Sequence, residues 1–148
     1  MPEPSAPLAA AVPEKVVIVL AAGLGAGQAA NAAACLAAGL VARQPNWAGQ
    51  ALRDADGMLS SAISHLPIIV LTADEARMAQ LRERLSLPMP GDAGMTLFPA
   101  YAREIHEAAE YWARHRHTSH RDQPLLGVGL AGPRRWVNAL TGSLPMLR

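Results

Sequence analysis

Apolar residues in this chain come in short blocks separated by glycine, proline or acidic turns, and the blocks follow two periods. Val16-Val17-Ile18-Val19-Leu20 is a β-branched run without a polar position, which predicts a central strand apolar on both faces. Leu24-Gly25-Ala26-Gly27 reads as a turn. A helix is predicted from Gln28 to Arg43, ending before Pro45. Ala29, Ala33, Leu36 and Leu40 share one face of it, and alanine there would let the helix lie close to a sheet. Gln28, Asn31 and Cys35 share another face.

Asp54-Ala55-Asp56-Gly57 is a turn signal inside a stretch, Asn46 to Leu66, that has no clear period. Ile68-Ile69-Val70-Leu71 predicts a second buried strand. Thr72-Ala73-Asp74-Glu75 reads as a capping box that opens a second helix, with Met78, Leu81 and Leu85 inward and a stop before Pro88. Gly91-Asp92-Ala93-Gly94 is a turn, and Met95-Thr96-Leu97-Phe98 a third strand. Tyr101 to Arg116 predicts one helix with an apolar stripe of Ile105, Ala108, Ala109 and Trp112. Leu125 to Leu130 is the fourth strand. Gly132 fits the cap of a last helix, Pro133 its first position and Gly142 its stop. The order predicts an α/β domain of three layers, α/β/α, on a four-stranded mixed sheet, with its first two strands parallel through a right-handed crossover.

The chain has 148 residues, 51% hydrophobic and 17% charged, enough for one globular domain with a real core. Residues 1–13 read as a flexible Pro/Ala-rich tail and 14–148 as a single domain. The tail lacks the basic start of a secretory signal. A formal net charge of +1 argues against an extended nucleic-acid-binding surface. No charge falls between Val16 and Ala42, a length that would suit a membrane span. Gly23, Gly25 and Gly27 split that run, however, so no membrane partner is expected. Cys35 is the only cysteine; it excludes an intrachain disulfide and fits a reducing, cytoplasmic setting.

Several residues are candidates for chemistry. Gly25 and Gly27 ahead of a helix leave backbone N–H groups free for an anion or amide oxygen, as does a plain strand-to-helix turn. Gln28 and Asn31 offer donors and acceptors to a small polar ligand, or face solvent. Cys35, two turns into the helix, reads as an inert, buried thiol. Asp92 could orient water or act as a base, and Thr96 could bond a substrate; a turn aspartate and a strand threonine are the plainer readings. His115, His117 and His120 among arginines read as a solvated basic loop. No metal or cofactor is implied.

Leu24-x-x-Gly27-x-x-Ala30 after the first strand, Asp92-Ala93-Gly94-x-Thr96, and Gly132-Pro133 followed by Leu140-Thr141-Gly142-x-Leu144 resemble the motifs of type II peptidyl-tRNA hydrolases. The resemblance implies that fold, and Asp92 and Thr96 as catalytic positions. The hydrolase pattern has a lysine at Gln28, so the positive charge is lost. Gly27-x-x-x-Asn31-Ala32-Ala33 and Asp54-Ala55-Asp56-Gly57 are similar to a bacterial family related to that fold, domain-of-unknown-function family 2000. Three functions follow as expectations. The first is a domain that binds a small polar ligand at Gly25, Gly27, Gln28, Asn31 and Cys35, near Asp92 and Thr96. The second is a hydrolase of ester-linked peptidyl- or aminoacyl-tRNA. The third is a homodimeric interaction module.

Overall fold

Residues 12–148 are described by a computed structural model. Nearly all of the tail predicted for residues 1–13 lies outside them. Strand β1 (Lys15–Ala21) runs into helix α1 (Ala26–Arg43), and β4 (Ile68–Ala73) into α2 (Glu75–Leu85). Between these pairs stand a 3-10 turn, Pro45–Trp47, and a hairpin of β2 (Ala51–Arg53) and β3 (Leu59–Ser61). Then come β5 (Gly94–Pro99), helix α3 (Ala108–Arg116), β6 (Leu125–Gly132) and α4 (Arg134–Thr141).

The main sheet has the order β4-β1-β6-β5. β1 and β4 are parallel, as predicted, while β6 is antiparallel to both β1 and β5. The sheet is therefore four-stranded and mixed, with β5 on an outer edge. Alternate side chains of β1 divide the core in two. Val16, Ile18 and Leu20 pack with Ala29, Ala32, Leu36 and Leu40 of α1. Val17 and Val19 pack with Met78, Leu81 and Leu85 of α2 and Val137 of α4. One helix on one face and two on the other give the predicted three layers. The long uncharged run is thus divided between β1 and α1, and among the described residues no helix is long and apolar enough to cross a membrane.

The close approach of α1 to the sheet is set from both sides. Ala32, rather than the expected Ala33, is the buried alanine at the middle of the helix. Opposite it, β6 presents glycine: a Cβ on Gly127 would stand 2.8 Å from Leu36 Cδ1, and one on Gly129 2.3 Å from Thr96 Oγ1. Such separations leave no room for a side chain, so the Gly-x-Gly of β6 is a packing requirement.

Three local features differ from expectation. The capping box at Thr72 does not form, because β4 continues through Ala73 and uses Thr72 as a strand residue. Asp74 caps α2 instead, its side chain accepting from the Arg77 N–H at 2.8 Å. Pro133, not Gly132, is the N-cap of α4, since β6 extends to Gly132. The stretch without a period contains a hairpin. Its turn is the one predicted: Asp54 Oδ1 accepts from the N–H groups of Asp56 and Met58, each at 2.9 Å, and Gly57 takes φ +88°.

The largest correction concerns the predicted helix from Tyr101 to Arg116. A 3-10 turn, Ala100–Glu104, ends at Ile105, which is extended at φ −114° and ψ 120°, and α3 starts only at Ala108. A continuous helix would separate Tyr101 and Arg114 by about 20 Å. Instead the Arg114 guanidinium lies 4.6 Å from the centre of the Tyr101 ring. Tyr101 is buried and α3 folds back over it. The expected stripe does not form a core face: α3 buries no residue, and Trp112 is 58% exposed.

Candidate functional site

The break at residues 105–107 opens a cleft of about 630 Å³. One wall is α1, through Cys35, Leu36 and Gly39. The opposite wall is the broken segment, through Ile105, His106, Glu107, Tyr111 and His115. The floor is β5, through four consecutive residues, Met95, Thr96, Leu97 and Phe98. Met95 and Leu97 pack toward α2, while Phe98 packs toward α1. A cavity that touches both faces of a strand must run along its edge. The cleft therefore follows the unpaired side of β5 for about 13 Å.

Its lining is largely apolar with a few polar groups, the usual composition of a ligand site. The Thr96 hydroxyl donates to the Leu36 carbonyl at 3.0 Å, so its proton is already committed. The Cys35 thiol has only a long contact, 3.9 Å, to Asn31 Oδ1. At the far end stands an aromatic network. The rings of His115 and His120 stack at 4.1 Å and 29°. Tyr111 meets His115 edge-on, and the Tyr101 hydroxyl is 2.7 Å from His120 Nε2. Burial lowers the pKa of His120, and the neighbouring His115 lowers it further. Burial also raises the Tyr101 phenol above its ordinary value, partly offset by Arg114 and by a bond from Thr118. His115 Nδ1 is shielded from solvent and has no partner among the described residues.

Of the residues singled out in the sequence, Cys35, Thr96 and His115 come together in this cleft. Cys35 is not the inert, buried thiol expected; it is exposed, because it sits on the flank of α1 beside Leu36 and Gly39, which borders the cleft rather than the core. The other candidates lie elsewhere. Gly25 is the N-cap of α1, and Gly25, Gly27, Gln28 and Asn31 are all exposed at that end. Asp92 sits at the other end of α1, where its backbone carbonyl accepts from Gln44 Nε2 at 2.8 Å. From Gln28 to Gln44 the helix rises about 24 Å, so Asp92 and Gln28 do not share a pocket. Asp92 lies in the turn before β5, whereas Thr96 lies within that strand.

Lys15 starts β1, opposite Gly132, and donates to Asn138 Oδ1, so it lies at the end of the strand away from the Gly25 turn. The histidine loop is not simply solvated: His115 and His120 belong to the stacked network. Among the described residues, no group of histidine, cysteine, aspartate or glutamate could hold a metal ion. The sequence does not single out His106, Glu107 and Tyr111 as site residues, because the apolar stripe of Ile105, Ala108, Ala109 and Trp112 reads as the inward face and leaves these polar residues outside it.

The comparisons agree with this architecture. A family model described as a protein of unknown function, DUF2000, matches residues 14–148. A solved structure of a protein of unknown function from Agrobacterium tumefaciens strain C58 is similar with a TM-score of 0.78 and 23% identity, over 90% of this chain and 97% of that one. At that identity the likeness shows the fold. No curated protein matches the chain.

Proposed function

The chain belongs to the DUF2000 family, whose description names no activity, and we propose from the geometry that it is a binding domain for an elongated, mostly apolar ligand held along the edge of β5. The observation that carries this reading is the cleft of about 630 Å³, a volume within the usual range for small-molecule sites. Leu36, Phe98, Met95 and Ile105 supply apolar surface, while Tyr111 and His106 supply polar handles at the rim. A polar ligand at the Gly25–Asn31 turn is the weaker proposal, since the cleft does not reach that turn. Hydrolysis of tRNA esters has less support still, with Asp92 outside the cleft lining and the Thr96 hydroxyl bonded to Leu36.

The test uses octanol as an uncharged apolar probe, followed by melting temperature and by amide signals. Binding at 100 times the dissociation constant stabilises by about 2.7 kcal/mol. Octanol is expected to raise the melting temperature and move the signals of Gly39 and residues 95–98. Ala108→Phe, at an exposed position on the cleft wall, narrows the cleft without touching the core and should abolish both effects. No response of the wild type to octanol or to an apolar fragment library overturns the reading.

A homodimer through α3 is a second reading, favoured by Trp112 lying 58% exposed on a helix that buries nothing. Sedimentation as a monomer at every concentration removes it.

A further inference from the structure

Beside the cleft lies a second cavity, of about 160 Å³, with a different chemistry. Arg82 and Ser86 of α2 and His120 and Arg121 of the loop before β6 stand over an apolar floor of Met95 and Leu97. Two guanidinium groups, an imidazole and a hydroxyl meet there, and no carboxylate lines it. Among the described residues neither Arg82 nor Arg121 has an acidic partner. Arg82 is partly satisfied, since Nη1 donates to the Gln123 carbonyl. Its Nε–H is shielded from solvent and finds no acceptor. A shielded guanidinium N–H without an acceptor is costly, and an oxyanion is the group that satisfies it best, by a charge-assisted bond.

The two cavities are neighbours that share part of their floor. Met95 and Leu97 line both, and His115 of the cleft stacks directly on His120 of the smaller cavity. The shared floor and the paired rings place the arginines next to the end of the cleft. We propose that the natural ligand is an amphipathic anion, with its apolar body in the cleft and its carboxylate or phosphate held by Arg82, Arg121 and Ser86. This inference rests on the cleft being a ligand site and adds the chemical class of what fills it. The net charge of +1 lends no general attraction for anions, so selectivity must come from these two arginines.

The experiment compares octanoate, octyl phosphate and octanol by calorimetry on the wild type and on Arg121→Gln. Arg121 is exposed, so its replacement leaves the core intact. Octanoate or octyl phosphate should bind at least about tenfold more tightly than octanol, as one charge-assisted bond to a guanidinium allows. Arg121→Gln should remove most of that advantage and leave octanol unchanged. Arg82→Lys, which keeps the charge but loses Nε, should weaken the anions as well. The ratio of octanoate to octyl phosphate identifies the preferred oxyanion, and either preference supports the site. Equal binding of all three probes, unaffected by Arg121→Gln, overturns the anion site and spares the cleft. Binding of none of them overturns the cleft reading itself.

Discussion

Gly129→Ala is the substitution whose effect can be worked most fully from the structure. Thr96 of β5 is wedged between two glycines: its methyl, Cγ2, would stand 2.8 Å from a Cβ on Gly39, and its hydroxyl 2.3 Å from a Cβ on Gly129. An alanine at 129 must therefore displace the Thr96 hydroxyl from the Leu36 carbonyl. Leu40 Cδ1 at 3.0 Å and Ile18 Cδ1 at 3.3 Å block the other ways out. Overpacking a core in this way costs about 1–3 kcal/mol, and the lost hydrogen bond adds about 1 kcal/mol. The sum, about 2–4 kcal/mol, corresponds to a fall in melting temperature of about 6–12 °C for a domain of this size.

The partners make the prediction specific. Thr96→Ala removes both γ atoms and should rescue Gly129→Ala and Gly39→Ala alike, apart from the residual Leu40 contact. Thr96→Ser removes only the methyl and should rescue Gly39→Ala alone. Each rescue is read as a coupling energy from urea unfolding of single and double variants, expected at about 1–3 kcal/mol. Additive effects, or a neutral Gly129→Ala, would refute the claim that Thr96 is a packing residue between α1 and β6.

Three further outcomes follow from the site. Cys35 should react with a maleimide in the folded protein, and saturating octanol should slow that reaction; a thiol unreactive until unfolding would contradict its place in the cleft. The lowered pKa of His120 means that the unfolded chain takes up a proton first as pH falls. Its contribution to stability is therefore full above the unfolded value near 6.5 and lost as pH falls through the lower folded value. Melting temperature should drop between neutral and mildly acidic pH, and drop less in His120→Gln; identical profiles would remove His120 as the cause. Release of the amino acid from N-blocked aminoacyl-tRNA should stay at background in the wild type and in Asp92→Ala. Release that depended on Asp92 would reinstate the hydrolase reading.

Much of the fold was legible because its signals are local. The β-branched run at residues 16–20, the break at Pro45, the inward Met78, Leu81 and Leu85, and the Asp54–Gly57 turn each depend on neighbours in sequence, and each forms as read. Cap positions were less legible. Thr72 and Asp74 are both good capping residues, and the choice between them depends on how far β4 stays paired to β1 at Ala21 and Ala73. Burial on α1 was readable to within one residue, because alanine dominates every face and cannot distinguish Ala32 from Ala33.

The site was not legible, and the reason is physical. Helical periodicity from Tyr101 to Arg116 is genuine as a local preference, and tertiary contacts override it. Placing Arg114 over the buried Tyr101 ring requires the segment to double back within about 14 residues, which an unbroken helix cannot do. The extended residues at 105–107 supply that reversal. They also hold α3 away from the sheet, so that the unpaired edge of β5 is covered without being filled. An exposed edge strand invites pairing with other chains, and covering it with a helix is one of the ways proteins prevent this. Here the cover stands off by the width of a cleft, which shields the edge and leaves room for a ligand. The same break thus accounts for the failed stripe, the exposed Trp112 and the cavity beneath. Closing it, by a substitution that let α3 settle on β5, should bury Trp112 and abolish octanol binding together.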